Sequence, residues 1–277
     1  MAMAISKHII LLKIGIAVSS LALFAFAVSA ARILPLYPEL VSIKAVRNIP
    51  EFIGQMLPPP APYAVFAAIG IAVLFAFAGQ ICLFHFFERT QSVEIRFLSI
   101  FLFSLTFEVM RIAIPLKMAF NLSSYIPVIA SRLIVFGRFY GLFPIFAAAL
   151  YASGFKTRKD ETVILTMAAA AMLFAFRLPI DTFNFDTNLY PVTGFSAIFT
   201  STNIAIVLLA IYCFISGAYA RGSREDYLLA PGVLAAVAGR AMLLNADTWQ
   251  MLLPGAALLV FGVWFTGLQY RRMYLWV

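Results

Sequence analysis

A chain of 277 residues that is 63% hydrophobic and 12% charged, with a mean hydropathy of +0.96, lies far outside the composition of soluble domains. It carries 28 phenylalanines and no polar stretch of domain size, which leaves no room for a soluble catalytic or nucleic-acid-binding domain. The net charge of +8 comes from 20 Lys and Arg scattered singly between apolar runs, a pattern that sets membrane topology and not a groove for a polyanion.

In the first predicted span, 9–31, Lys7 and Lys13 stand ahead of the apolar part and Val28, Ser29 and Ala30 near its end, which is the pattern of a signal peptide. Its apolar part runs from Ile14 to Ala31, longer than a secretory core, and an uncleaved anchor is the favoured reading. In the connection that follows, Leu40, Ile43 and Val46 recur at three-residue steps beside Lys44 and Arg47, between Pro38 and Pro50. This predicts an amphipathic helix over 39–49, lying on the outer membrane surface or across the mouth of the bundle.

Further spans are predicted at 63–86, 97–117, 126–153, 162–178, 196–219, 228–245 and 250–270, each close to the length that crosses about 30 Å of hydrocarbon. Between them lie Pro-rich 58–62, charged 88–96, polar 121–125, basic 154–161, turn-rich 179–194, charged 221–226 and the short 245–249. Runs this long without alternation exclude barrel strands. The expected fold is all-α: one polytopic transmembrane bundle, 1–277, of about eight spans, or seven if the first segment is a cleaved signal peptide. The stretch 228–245 holds Pro231, Gly232, Gly239 and Arg240, so a tilted, broken or partly re-entrant helix is expected there. Dividing the chain into halves aligns no polar residues, so no transporter-like repeat is legible.

Counting Lys and Arg on alternate sides gives eleven on one, from Lys7 to Arg272, and five on the other: Arg32, Lys44, Arg47, Lys117 and the boundary residue Arg177. The richer side is expected to be cytoplasmic, with both termini inside, in a bacterial cytoplasmic (inner) membrane.

Charges within spans carry the functional argument, because each costs about 2.5–3.5 kcal/mol on insertion scales and needs a partner or a purpose. Glu108 and Arg111 fall in the third predicted span, Arg132 and Arg138 in the fourth and Arg240 in the seventh; Arg177 closes the fifth. The alternating directions of the spans place all six between the midplane and the outer face. Asp181, Asp186 and Asp247 enter from outer connections, giving four acids against five arginines at that depth. Glu108 and Arg111, three apart, can pair on one helix face. Arg132 and Arg138, six apart, point about 120° from each other and can serve separate partners.

Two readings follow. In one, the arginines Arg111, Arg132, Arg138, Arg240 and Arg177, with Glu108 and Asp181, line an outward-facing site for an anionic small molecule or lipid head group, covered by 179–194. Thr200, Ser201, Thr202, Asn203, Asn121, Ser123, Ser124, Asn184, Asn188 and Tyr190 supply polar groups at the same depth. In the other, the same charges form an ion-pair network that staples the helices of a scaffold or sensor subunit.

Enzymatic chemistry finds little purchase. His8 and His85 fall near the cytoplasmic face, no acidic or histidine cluster has metal-ligand spacing, and Gly194 to Ile198 around Ser196 lacks the second glycine of a nucleophile elbow. Cys82 and Cys213 sit inside apolar runs as packing residues. The expectation is therefore a non-enzymatic protein without metal or cofactor. A lipid-modifying transferase with Glu108 or Asp181 as base is the weaker alternative. Expected partners are membrane lipids, an anionic ligand and, if the protein senses, a further membrane or signalling protein; nucleic acid is not among them.

Overall fold

The computed structural model describes residues 2–36, 58–87, 92–155, 160–222 and 227–275; the helix predicted over 39–49 lies outside these. Their α-helices are α1 (Ala2–Ile33), α2 (Pro62–Phe87), α3 (Val93–Ser104), α4 (Ala113–Phe120), α5 (Tyr125–Ala152), α6 (Asp160–Arg177), α7 (Ser196–Arg221), α8 (Leu229–Leu244) and α9 (Trp249–Leu275). A 3-10 helix, Leu105–Ile112, joins α3 to α4 into one rod. Among the described residues six stretches are long and apolar enough to cross a membrane: Ile9–Ile33, Pro62–Phe87, Val93–Phe120, Tyr125–Ala152, Ser196–Arg221 and Trp249–Met273. The bundle is that of an integral membrane protein.

The other two predicted spans are shorter. Helix α6 has 18 residues with Asp160 and Glu161 in its first turn and Arg177 in its last, and α8 has 16. At 1.5 Å per residue they rise about 27 and about 24 Å. Length and composition therefore support six spans directly, with two shorter helices beside them.

Helix α8 is continuous from Leu229 to Leu244 and is not broken. Pro231 sits in its first turn, where an N–H would have no intrahelical acceptor. Its glycines serve packing: Gly232 and Gly239 face α9, and Gly255 and Gly262 of α9 face back. A β-carbon at Gly239 or Gly262 would overlap the backbone of the opposite helix. Small residues seven apart on both partners let the two backbones approach closely, which is how helices adhere where lipid removes the hydrophobic incentive.

Helix α5 is the centre of the bundle, contacting α3, the 3-10 helix, α6 and α7. Helices α1 and α2 pack on one flank against the 3-10 segment, and the α8–α9 pair touches α2 and α7. Ala, Leu, Ile and Phe fill the interior, while Leu165, Leu173, Phe176, Leu208, Leu253 and Trp264 are exposed at the periphery, the arrangement expected where the solvent is lipid.

The connection 179–194, read from sequence as turn-rich, contains a β-hairpin. Strands β1 (Ile180–Phe185) and β2 (Pro191–Thr193) pair antiparallel, with Ile180 opposite Thr193 and Phe185 opposite Pro191. Asp186 N–H donates to Tyr190 O at 2.8 Å, and Leu189, in the left-handed region at φ 62°, donates to Asp186 O at 2.9 Å. Gly194 N–H donates to Pro179 O at 2.9 Å, closing the base of the hairpin.

Candidate functional site

The 3-10 helix is the local device that builds the site. With three residues per turn, Glu108 and Arg111 stack one above the other, and Arg111 Nη1 lies 3.3 Å from Glu108 Oε2. Pro115 follows at the start of α4, with no N–H to offer the Arg111 carbonyl four residues back and a ring that crowds it. Both charged side chains are fully enclosed: Arg111 is 0% and Glu108 1% exposed.

Arg138 of α5 reaches the same carboxylate from the other side, its Nε 3.3 Å from Glu108 Oε1. Gly137 makes this approach possible, because a β-carbon there would strike the Phe107 ring at 2.9 Å. The two guanidinium groups then converge on the end of α8. Leu244 O accepts from Arg111 Nη1 at 3.2 Å and from Arg138 Nη2 at 3.1 Å, and Asn245 Oδ1 accepts from Arg138 Nη1 at 3.1 Å. A helix C-terminus exposes carbonyls without intrahelical donors and carries partial negative charge, so two cations there satisfy both needs. Arg111 Nη2 also donates to Asn188 O in the hairpin turn.

Arg240 is held differently. Its Nη2 donates to Gly137 O at 3.1 Å and to Ser104 Oγ at 3.4 Å, and its Nη1 donates to Arg138 O at 3.2 Å. It therefore ties α8 to α5 through backbone carbonyls.

Beside this cluster opens a cavity of about 740 Å³ between α5, α7, α8 and the hairpin. Arg138, Asp186, Asn188, Tyr190, Asn245 and Asp247 line one end of it; Thr200 and Asn203 follow along α7, and Leu142, Val207, Ile211, Leu234 and Val237 line the other end. The Arg138 guanidinium lies 3.7 Å from the centroid of the Tyr190 ring, a cation–π contact that fixes its plane at the cavity wall. Burial raises the Tyr190 phenol above its ordinary pKa, against the opposing pull of Arg138. Asp247, 1% exposed, accepts from Thr187 Oγ1 at 2.9 Å.

Of the residues singled out in the sequence, Glu108, Arg111, Arg138 and Arg240 come together. Arg132 does not join them: its Nη1 donates to Ala175 O at 2.6 Å, Phe176 O at 3.2 Å and Leu178 O at 2.5 Å, closing the end of α6. Arg177 is exposed at that same helix end, and Asp181 is half-buried on β1 away from the cavity wall. Among the described residues the local count is thus three arginines (Arg111, Arg138, Arg240) against three acids (Glu108, Asp186, Asp247). Ser201 and Thr202 bond back to Ile198 O, at 2.8 Å each, and Asn121, Ser123 and Ser124 are exposed. Among the described residues no group of His, Cys, Asp and Glu has the arrangement of a metal site.

Sequence reasoning missed the partners on the main chain. The carbonyls of Leu244, Gly137, Arg138 and Asn188 take most of the arginine donors, and no residue type announces them. The pair Gly137 and Gly141, flanking Arg138 at helical spacing, was a legible sign that bulky groups press on this face of α5.

No family model matches the chain, and no solved structure matches it. It is similar, at 30% identity over 89 residues, to a protein of Treponema pallidum (strain Nichols) described as an uncharacterized protein. The match covers 32% of this chain, which spans about a quarter of that relative's length.

Proposed function

We propose that this protein crosses a bacterial cytoplasmic membrane eight times with both termini inside, and that it binds, for transport or retention, a ligand whose anionic group meets Arg138 from the outer side. The observation that carries this reading is the position of Arg138 on the cavity wall. Among the described residues, Glu108, Leu244 and Asn245 use three of the five guanidinium N–H groups, which leaves two to offer a ligand bidentately. The side chain is held before any ligand arrives, by Glu108 behind it and Tyr190 against its face, and such preorganisation lowers the cost of binding.

A scaffold role is favoured for Arg111 and Arg240, whose bonds to Leu244, Asn188, Gly137 and Arg138 carbonyls join α8 to the 3-10 helix, the hairpin and α5. In this proposal Arg138 is the anion contact and the other two are its frame. Thermal unfolding of the detergent-solubilised protein with phosphate, sulfate and carboxylates tests it. The wild type should be stabilised by at least one of these anions and Arg138→Gln by none. Equal stabilisation of the two proteins would overturn the assignment.

Topology has its own test, in a Cys82→Ser/Cys213→Ser background. Tyr125→Cys should be labelled by an impermeant thiol reagent from outside intact cells, and Phe155→Cys only after lysis. Labelling of Phe155→Cys from outside would refute the eight-span arrangement.

A further inference from the structure

The cavity has two ends of opposite character. Its polar end is made by the hairpin turn, the end of α8 and the residues just after it; its apolar end descends between α7 and α8 as far as Ile211 and Leu234. From Asn245 to Leu234 the wall follows α8 for about 16 Å at helical rise. Three residues that line this limb, Ile204 and Leu208 on α7 and Leu234 on α8, are 55%, 61% and 47% exposed, so the cavity wall is not sealed at this level. Cavity-lining side chains this exposed, on two neighbouring helices, mark an opening between α7 and α8. In a membrane protein, a mouth between two apolar helices opens on lipid.

Charge bears on what occupies such a space. Among the described residues, the three arginines stand against Glu108, Asp186 and Asp247, so these six charges sum to zero and offer a small anion little long-range attraction. Glu108 and the α8 terminus already hold most of the attraction that Arg138 has to give. A free phosphate or carboxylate therefore gains two hydrogen bonds and little more, and strong binding needs apolar burial at about 0.8 kcal/mol per methylene. The Asn203 Oδ1 atom, on the wall between the two ends, is buried without a hydrogen-bond partner among the described residues. It marks polar surface at the depth between a head group and its chain, and it can accept only from a ligand that carries an O–H or N–H there.

Resting on the reading of Arg138 as the anion contact, we infer that the ligand is a membrane lipid with a phosphate in its head group, which enters sideways between α7 and α8. Its phosphate meets Arg138 beneath Tyr190, its polar neck passes Asn203, and one acyl chain lies in the limb between Val207 and Val237. Lateral entry spares the lipid a passage through water.

The test uses delipidated full-length protein, with phosphatidylglycerol as one ligand and water-soluble glycerophosphate as the other, followed by native mass spectrometry and thermal unfolding. Phosphatidylglycerol should bind at least about tenfold more tightly than glycerophosphate. Ala238→Trp and, from the opposite wall, Val207→Trp fill the apolar limb; whichever of them folds should lose lipid affinity by about tenfold or more and keep whatever glycerophosphate binding the wild type has. Arg138→Gln should weaken both ligands. If glycerophosphate binds as well as the lipid and the Trp variants change nothing, the lipid inference falls while the anion reading stands. If the lipid binds equally well to Arg138→Gln, both fall; if neither ligand binds the wild type, the lipid inference falls and the anion reading is decided by the phosphate, sulfate and carboxylate series.

Discussion

Gly141 on α5 lies so close to Arg240 on α8 that a β-carbon at this position would overlap both the guanidinium Nη2 and Ser104 Oγ. The same Nη2 donates to Gly137 O and Ser104 Oγ, so the space left by the missing side chain is what admits the cation between the helices. Gly141→Ala is expected to displace Arg240 and to destabilise the protein by about 1–3 kcal/mol, the range for overfilling a packed site. Thermal unfolding in detergent reads the change. Gly267→Ala is the control: its β-carbon meets nothing within 4 Å, and the midpoint should hold or rise slightly.

Glu108 serves two cations at once, and removing its charge leaves both without a carboxylate in contact. Glu108→Gln keeps the shape and is expected to cost about 3–5 kcal/mol, because a buried cation loses its compensation while its desolvation persists. A double-mutant cycle should find stronger coupling of Glu108 to Arg111 than to Arg138, since the Arg111 side chain is 0% exposed and that of Arg138 17%. Equal coupling energies would show that burial does not set the strength of the two pairs.

The helices were legible because apolar runs of span length have few alternatives in lipid, and the charges inside them were legible because each is costly there. Geometry at those charges was not. Nothing in the residues 105–112 announces a 3-10 helix, which places Glu108 and Arg111 in line where α geometry would set them apart in angle. Depth put Arg132 and Arg138 in the same outer half, while the angle of about 120° between them, legible in their spacing, sends one to the end of α6 and the other to Glu108. The hairpin was hidden for another reason: Ile180–Phe185 alternates weakly, and β2 is only three residues long. Gly232 and Gly239 read as breaks in a span because glycine is a poor helix former; their role against Gly255 and Gly262 depends on a partner helix that a single segment does not display.

Electrostatics at the other end of the bundle provides a contrast. Arg96 Nη2 lies 2.7 Å from Asp160 Oδ2, and Tyr151 O–H donates to Asp160 Oδ1 at 2.9 Å, joining α3, α5 and α6. These side chains are 21% and 22% exposed, so solvent screens the pair. Asp160→Asn is expected to cost no more than about 1 kcal/mol. A loss comparable to that of Glu108→Gln would mean that the pair is shielded far more than its exposure implies.

Arg132 provides the sharpest separation of frame from site. Its Nη1 meets three carbonyls, of Ala175, Phe176 and Leu178, at the end of α6, and its side chain is absent from the cavity wall. The first two carbonyls lie in the last turn and that of Leu178 just past it, where no further N–H follows in the helix, so the guanidinium acts as a charged C-terminal cap. Arg132→Gln is expected to lower stability by about 1.5–3 kcal/mol, the range for hydrogen bonds to a charged group. Ligand stabilisation measured on the same variant should match the wild type, whereas Arg138→Gln should lose the ligand. If Arg132→Gln loses the ligand while unfolding at the wild-type temperature, Arg132 belongs to the binding site and the division drawn between the two arginines of α5 is wrong.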